Sequence, residues 1–319
     1  GNLLTDRTGI DVEVVPGFNG TEEIVDGKLV VETVEELSAA LEAGRSVMLA
    51  EDMTLDGYIG FDSNEDEVII DLNSRTLTFS TTGTALLADN SDVTLENGTI
   101  LADHMDNSTN LAAICVQDNS TVTLDNITME TNSTAIFVYQ SSTRARIEVK
   151  DSKIDATYFC IGTNATAPSA ANAEIVVENS ELTSDETPLL INIPCDATLT
   201  ECKLNGVSQG AFVRGGNVVF SGCEITQAYE GGDYESVADK YDDTNWGSGN
   251  YAPLAGITVG NRSNDYQYPT RLTLYNTTVS ASGSHADYFP AVYTYANQDE
   301  GLGVTIDYDS DCRFDGTFE

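Results

Sequence analysis

From residue 47 onward, apolar residues recur with a period of two in short bursts, which is the pattern of strands that bury alternate side chains. The bursts share one eight-residue phrase. It reads VTLENGTI at 93–100, VTLDNITM at 122–129, IEVKDSKI at 147–154 and IVVENSEL at 175–182. ATLTECKL, VVFSGCEI and LTLYNTTV repeat the outline from residues 197, 218 and 272, with a further copy from 304 and looser versions from 47 and 70. Positions 1, 3 and 8 are apolar, and position 5 carries Asn97, Asn126, Asp151, Asn179 and Asn276. Asn and Asp tolerate left-handed backbone and bond to nearby backbone groups. The phrase therefore predicts a strand, a corner of one or two residues, and a second strand. Sequons such as Asn97-Gly98-Thr99 then follow from the Asn column and need no glycosylation code.

Between the phrases lies one more short apolar run, at 85–88, 111–116, 135–138, 159–162, 189–193, 211–213, 255–259 and 291–295. Each repeat thus holds about three strands, and most repeats begin 21 to 32 residues apart. A propeller blade needs roughly 40–45 residues, and a leucine-rich repeat needs a denser Leu pattern. The remaining geometry is an all-β, right-handed, single-stranded parallel β-helix. About ten coils, spaced by roughly 4.8 Å, make a rod of about 45 Å whose stacked coils share one core. The interval from 218 to 272 is double the usual length yet holds one third-strand run. A single coil is therefore expected to carry an insertion over 228–254.

Upstream, TVEELSAALEAG (33–44) predicts a short amphipathic helix. Thr33 and Glu36 form a capping box, Val34, Leu37, Ala40 and Leu41 mark one face, and Gly44 supplies the stop. A capped helix followed by VMLAEDMTL and VIIDLNSRTLTF, leading into the coils, resembles the entry of the pectin-lyase-like family of β-helix proteins. The resemblance runs from about residue 45 to 312 and implies that the helix covers the open edge of the first coil. The expected organisation is one domain: an extension at 1–32, the helix at 33–44 and coils over 45–312. That family mixes enzymes with adhesins and structural proteins, so the resemblance implies a fold and leaves the activity open.

Charge narrows the partners. There are 14 Lys+Arg against 52 Asp+Glu, a net charge of −38, which disfavours nucleic acid and anionic membrane surfaces. No run of about 18 apolar residues is present to span a bilayer. The chain opens on Gly1 without a Met or a signal peptide, and reads as processed or trimmed. The expectation is a secreted or cell-surface bacterial protein acting as a monomer. Six cysteines without a CxxC pair exclude a zinc ribbon. Cys202 and Cys223 share position 6 of adjacent coils, close enough for a disulfide. Small residues such as Ser152 and Ser180 fill that position elsewhere, which favours a buried reduced stack.

Catalytic signatures are sparse. Hydrolases of the polygalacturonase-like branch carry an NxD, an Asp pair, GHG and RxK. This chain has Asn90-Ser91-Asp92 and Asp242-Asp243 but neither GHG nor RxK. A pectate-lyase-like reaction needs Ca²⁺ and a basic residue; Arg144, Arg146, Lys150 and Arg214 are available, and solvent-facing charges on strands are the simpler reading. His104 and His285 stand alone in separate loops. Partial Ca²⁺ loops occur at Asp62, Asn64 and Asp66 and at Asp307, Asp309 and Asp311, but Cys312 stands where a Ca²⁺ loop needs Gly, and those last acids also alternate as in a strand. No other cofactor is indicated. The insertion and the next loop concentrate Tyr229, Tyr234, Tyr241, Asp242, Asp243, Trp246, Tyr251, Tyr266 and Tyr268. Aromatic faces stack on sugar rings while Asp bonds hydroxyls; equally, such rings can pack a long loop onto the rod. The leading expectation is non-catalytic adhesion or glycan binding, with a polysaccharide or host-surface glycan as partner. The alternative is a lyase or hydrolase acting on uronate-rich polysaccharide.

Overall fold

The computed structural model describes residues 4–5, 11–12, 22–63, 66–103, 105, 112–139, 144–164, 172–229, 254–260, 269–282, 289–294 and 303–318. The chain is a right-handed parallel β-helix with three walls. The first wall holds the strands before the Asn corner, running from Val47–Leu49 and Val68–Asp71 to Thr270–Tyr275 and Val304–Tyr308. The second holds those after the corner, from Met53–Leu55 to Arg313–Asp315. The third is a nine-stranded sheet from Ile59–Asp62 to Val292–Thr294. Inward columns run unbroken from coil to coil. Leu95 pairs with Leu124, Leu124 with Val149, and Val149 with Val177, each at most 1% exposed.

Val218 pairs directly with Leu272 and Cys223 N–H bonds Thr277, 54 residues on, so this interval is one turn of the helix, as the spacing predicts. The stack begins earlier than expected. Lys28–Val31, inside the stretch read as an extension, already pairs in parallel with Val47–Leu49. The helix Val34–Glu42 follows that strand and buries Leu37, Ala40 and Leu41. Thr33 Oγ1 accepts from Glu36 N–H, and Glu36 reaches back to Glu32 N–H. Lys28 closes this end by bonding Asp71 (2.5 Å) and Glu96 on successive coils.

The corner explains the repeated phrase. Asn97, Asn126, Asp151, Asn179 and Asn276 all take positive φ, between 44° and 60°. Glu201 (54°) and Gly222 (65°) occupy the same slot in their coils. Side-chain amides step from coil to coil: Asn97 Nδ2 donates to Asp71 Oδ1 (3.3 Å), and Asn126 Nδ2 to Asn97 Oδ1 (3.2 Å). Position 6 has its own task. The chain turns there, and an inward side chain one coil on catches the backbone N–H. Ile127 N–H donates to Ser152 Oγ (3.0 Å) and Ser152 N–H to Ser180 Oγ (3.0 Å). Cys202 and Cys223 continue the column as acceptors for Ser180 and Cys202 N–H, and Thr277 takes Cys223 N–H (3.3 Å). Both cysteines are free and buried, and the hydrogen bond to Cys223 together with burial holds the Cys202 thiol well above its ordinary range. The C-terminal end is closed by an aromatic trio. Tyr308 and Phe314, on inward columns of two walls, pack with each other and with Phe318 at ring centroid distances of 5.1–5.7 Å.

Two measurements check these arrangements. Ser152→Ala leaves Ile127 N–H buried without its acceptor, so chemical denaturation is expected to show a loss of about 1–3 kcal/mol. At the N-terminal end, burial alone pushes the Asp71 carboxyl up, but bonds from Lys28, Asn73 N–H and Asn97 outweigh it and hold the carboxyl below its ordinary range. A lowered carboxylate contributes stability above its unfolded value of about 3.9 and loses it as pH falls through the folded value. Lys28→Met is therefore expected to flatten the acid limb of the stability–pH curve and leave neutral-pH stability closer to the acid value.

Candidate functional site

Alternation along the third wall sends one set of side chains into the tube and the other outward. The outward set includes Phe137, Gly162, Leu190, Phe212 and Thr258, neighbours in register across successive strands. The large side chains among them, Phe137, Leu190 and Phe212, are apolar or aromatic and at most 6% exposed. Gly162 leaves the room that the Phe137 ring occupies, since a Cβ there would lie 2.6 Å from it. The middle of this wall is thus a filled floor, buried on both faces.

Arg214 lies two residues beyond Phe212, on the same face. It is fully buried, at 0% exposure, which corrects the expectation of a solvent-facing charge. Its guanidinium sits 4.5 Å from the Phe212 ring centroid, and Nε donates to Asn192 Oδ1 at 2.6 Å. Asn192 N–H in turn donates to Thr163 Oγ1 (2.9 Å), which donates to Leu190 carbonyl (3.4 Å). A planar cation that stacks on an aromatic face is suited to such a setting. Aligning the run LLIN (189–192) with AFVR (211–214) shows a polar side chain closing the same slot in adjacent coils, and that is the signal for this pair in the sequence.

The other basic candidates are spread over the first wall. Arg146 bridges Glu148 and Glu174. Lys150 lies 3.9 Å from Asp125 and from Asp151, and Arg144 is exposed. Asn90-Ser91-Asp92 forms a second corner. Asn90 has φ 46°, Ser91 is buried and its N–H donates to Ser120 Oγ (3.2 Å), and Asp92 accepts from Thr121 N–H (2.9 Å). Its residues serve coil stacking. His104, His285 and Asp242-Asp243 lie outside the described residues.

The partial Ca²⁺ loops are also placed in part. The last strand of the first wall ends at Tyr308, so Asp309 and Asp311 stand in a turn and only Asp307 lies on the strand. Asp307 is paired with Arg271 at 2.6 Å. Asp309 accepts from Asn276, Asp311 and Cys312 N–H at 3.1–3.2 Å, and these bonds hold its carboxyl low. Asp62 accepts from Ser63 Oγ (2.9 Å), Asp66 is exposed, and Asn64 lies outside the described residues. Among the described residues no group of three or more His, Cys, Asp or Glu side chains converges as a metal site.

Of the aromatic candidates, Tyr229 is half-buried against Leu254, Ala281 and Phe289. Tyr234, Tyr241, Asp242, Asp243, Trp246, Tyr251, Tyr266 and Tyr268 lie outside the described residues. Their points of attachment are defined. The stretch 230–253 enters through Leu254 and the stretch 261–268 leaves from Gly260, so both are tethered to opposite ends of the strand Ala255–Val259 in the third wall. For Arg214, an arginine-specific dicarbonyl reagent is expected to modify Arg144 in the folded protein and Arg214 only after unfolding, as read by peptide mass spectrometry. Arg214→Ala is expected to lower stability by about 2–5 kcal/mol through lost packing.

No family model matches the chain, and no curated protein matches it. Among solved structures it is similar to one described as L. reuters 100-23 SRRP, at 13% identity and TM-score 0.40, covering 92% of this chain and 99% of that chain. It is also similar to one described as the crystal structure of Dettilon tailspike protein (gp208), at 9% identity and TM-score 0.26, covering 89% of this chain and 66% of that chain.

Proposed function

We propose that this chain is a secreted or cell-surface β-helix protein of pectin-lyase-like type that binds a glycan without catalysing its cleavage. The observation that carries the reading is the tethering of both aromatic-rich stretches to one strand. Ala255–Val259 is buried along its whole length, and its five residues separate the attachment points Leu254 and Gly260 by about 20 Å. A rigid strand of this kind holds flanking segments at a constant separation, which is what a binding site built on connections requires. Tyr229 packs on the rod through Leu254 and Phe289 and fixes one root of the insertion. Trp246 and the remaining tyrosines supply faces for sugar rings, and Asp242 and Asp243 supply acceptors for hydroxyls.

Two of the four basic candidates support binding over cleavage. Arg214 is sealed in the floor, and Arg146 is held between two glutamates. A base for abstraction beside a uronate must reach the substrate, and neither guanidinium is presented to one.

The test is a glycan array with the parent and Trp246→Ala side by side, backed by incubation with uronate-rich polysaccharides with and without Ca²⁺. Binding by the parent that falls about tenfold or more in Trp246→Ala is the expected result. Equal binding by both proteins refutes the aromatic site. Release of unsaturated or reducing ends replaces the binding reading with a lyase or hydrolase.

A further inference from the structure

Between Asn97 and Glu201 the amide ladder at the Asn corner is interrupted twice. Asn126 donates backward to Asn97, and Asn179 donates backward to Asp151 at 2.5 Å. Each amide leaves its Oδ1 facing the next coil. There the corner residue is Asp151 in one case and Glu201 in the other, and an ionised carboxylate has no proton to give. Acceptor therefore faces acceptor, one coil apart, at Asn126–Asp151 and again at Asn179–Glu201. Both breaks open into the same groove, of about 370 Å³, which also receives Lys153 and Lys203. It crosses four coils, a length of about 14 Å along the rod axis.

We propose that this groove binds a neutral, hydroxyl-rich saccharide chain lying parallel to the rod axis. The class follows from the lining. A cationic ligand meets the ammonium groups of Lys153 and Lys203, whereas an anionic one meets Asp151, Glu181 and Glu201. A hydroxyl both donates and accepts, so one chemical group satisfies the facing acceptors and the ammonium donors together. The lysines are free to turn toward it, because their ion pairs with Glu181 (3.6 Å) and Glu224 (3.4 Å) are exposed and weak. The coil repeat presents the same kind of corner at regular steps, which suits a polymer with a regular repeat of its own. This site lies at the corner between the first and second walls, whereas the aromatic stretches attach to a strand of the third.

The probe is a panel of neutral cello-, manno- and xylo-oligosaccharides, with spermine, calcium chloride and oligogalacturonate as charged controls. Amide chemical shifts of the ¹⁵N-labelled protein report the site. The expected result is that a neutral oligosaccharide shifts the corner amides of Asn126, Asp151, Asn179 and Glu201, and that the charged probes do not. Asp151→Asn/Glu201→Asn restores a donor at each break. It is expected to melt at or above the parent temperature, since Asn suits left-handed backbone better than Glu, and to bind the same saccharide about tenfold more weakly. Trp246→Ala is expected to bind it as the parent does. The proposal is overturned if no neutral saccharide shifts these amides, if only a charged probe does, or if the double variant binds with parental affinity. Loss of this binding in Trp246→Ala also overturns it and assigns the saccharide to the insertion.

Discussion

Register between neighbouring coils is the constraint on which the rest of this structure depends. A single coil has no core of its own; its inward Val, Leu and Ile side chains become buried only when the next coil places counterparts over them. A slip of one residue would turn every inward side chain outward. Three devices hold the register at the corner. The residue at position 5 takes positive φ and turns the chain, the amides step from coil to coil, and the inward hydroxyl or thiol at position 6 catches the N–H of the preceding coil. The parallel ladder cannot serve that N–H while the chain is turning, so the small polar column is as necessary as the apolar ones.

Stacking identical slots also stacks like charges, and in a chain of net charge −38 this is a cost on every outward column. The few basic residues are spent against it. Lys28 joins Asp71 to Glu96, Arg146 joins Glu148 to Glu174, and Arg271 meets Asp307. Where the acids outweigh the cation the cost remains visible: burial and the nearby Asp185 and Glu130 push the Asp155 carboxyl up, and Lys153 offsets only part of it. Cations committed in this way are poorly placed to clamp a polyanion. In the functions proposed above, recognition falls instead to the places where repetition fails, namely the long insertion tethered to the third wall and the two interrupted steps of the amide ladder.

Arg214 shows a different use of an exception. An arginine on the outward face beside a strand end ordinarily reaches solvent, yet this one sits over the Phe212 ring and bonds Asn192 in the coil before it. It stiffens the floor to which the aromatic stretches are tethered, one strand away from Ala255–Val259. A firm floor and variable connections are the usual division of labour in a scaffold that carries a binding site.

Much of the fold was legible in the amino-acid order, because the signals concerned are local. Period-two runs, an Asn or Asp at each corner and a capping box before an apolar stripe each report on a few adjacent residues, and they specified the strands, the turns and the helix Val34–Glu42. The doubled interval likewise marked the insertion as part of a single coil. What tertiary structure decided is which slots meet. Only register reveals that Lys28–Val31 already belongs to the stack, that Ser152, Ser180, Cys202, Cys223 and Thr277 form one hydrogen-bonding column, and that Asp309 secures a turn. The burial of Arg214 and the facing acceptors at Asp151 and Glu201 are of the same kind. Each depends on a neighbour about 20–55 residues away, brought to roughly 4.8 Å by stacking, and no local pattern encodes that distance.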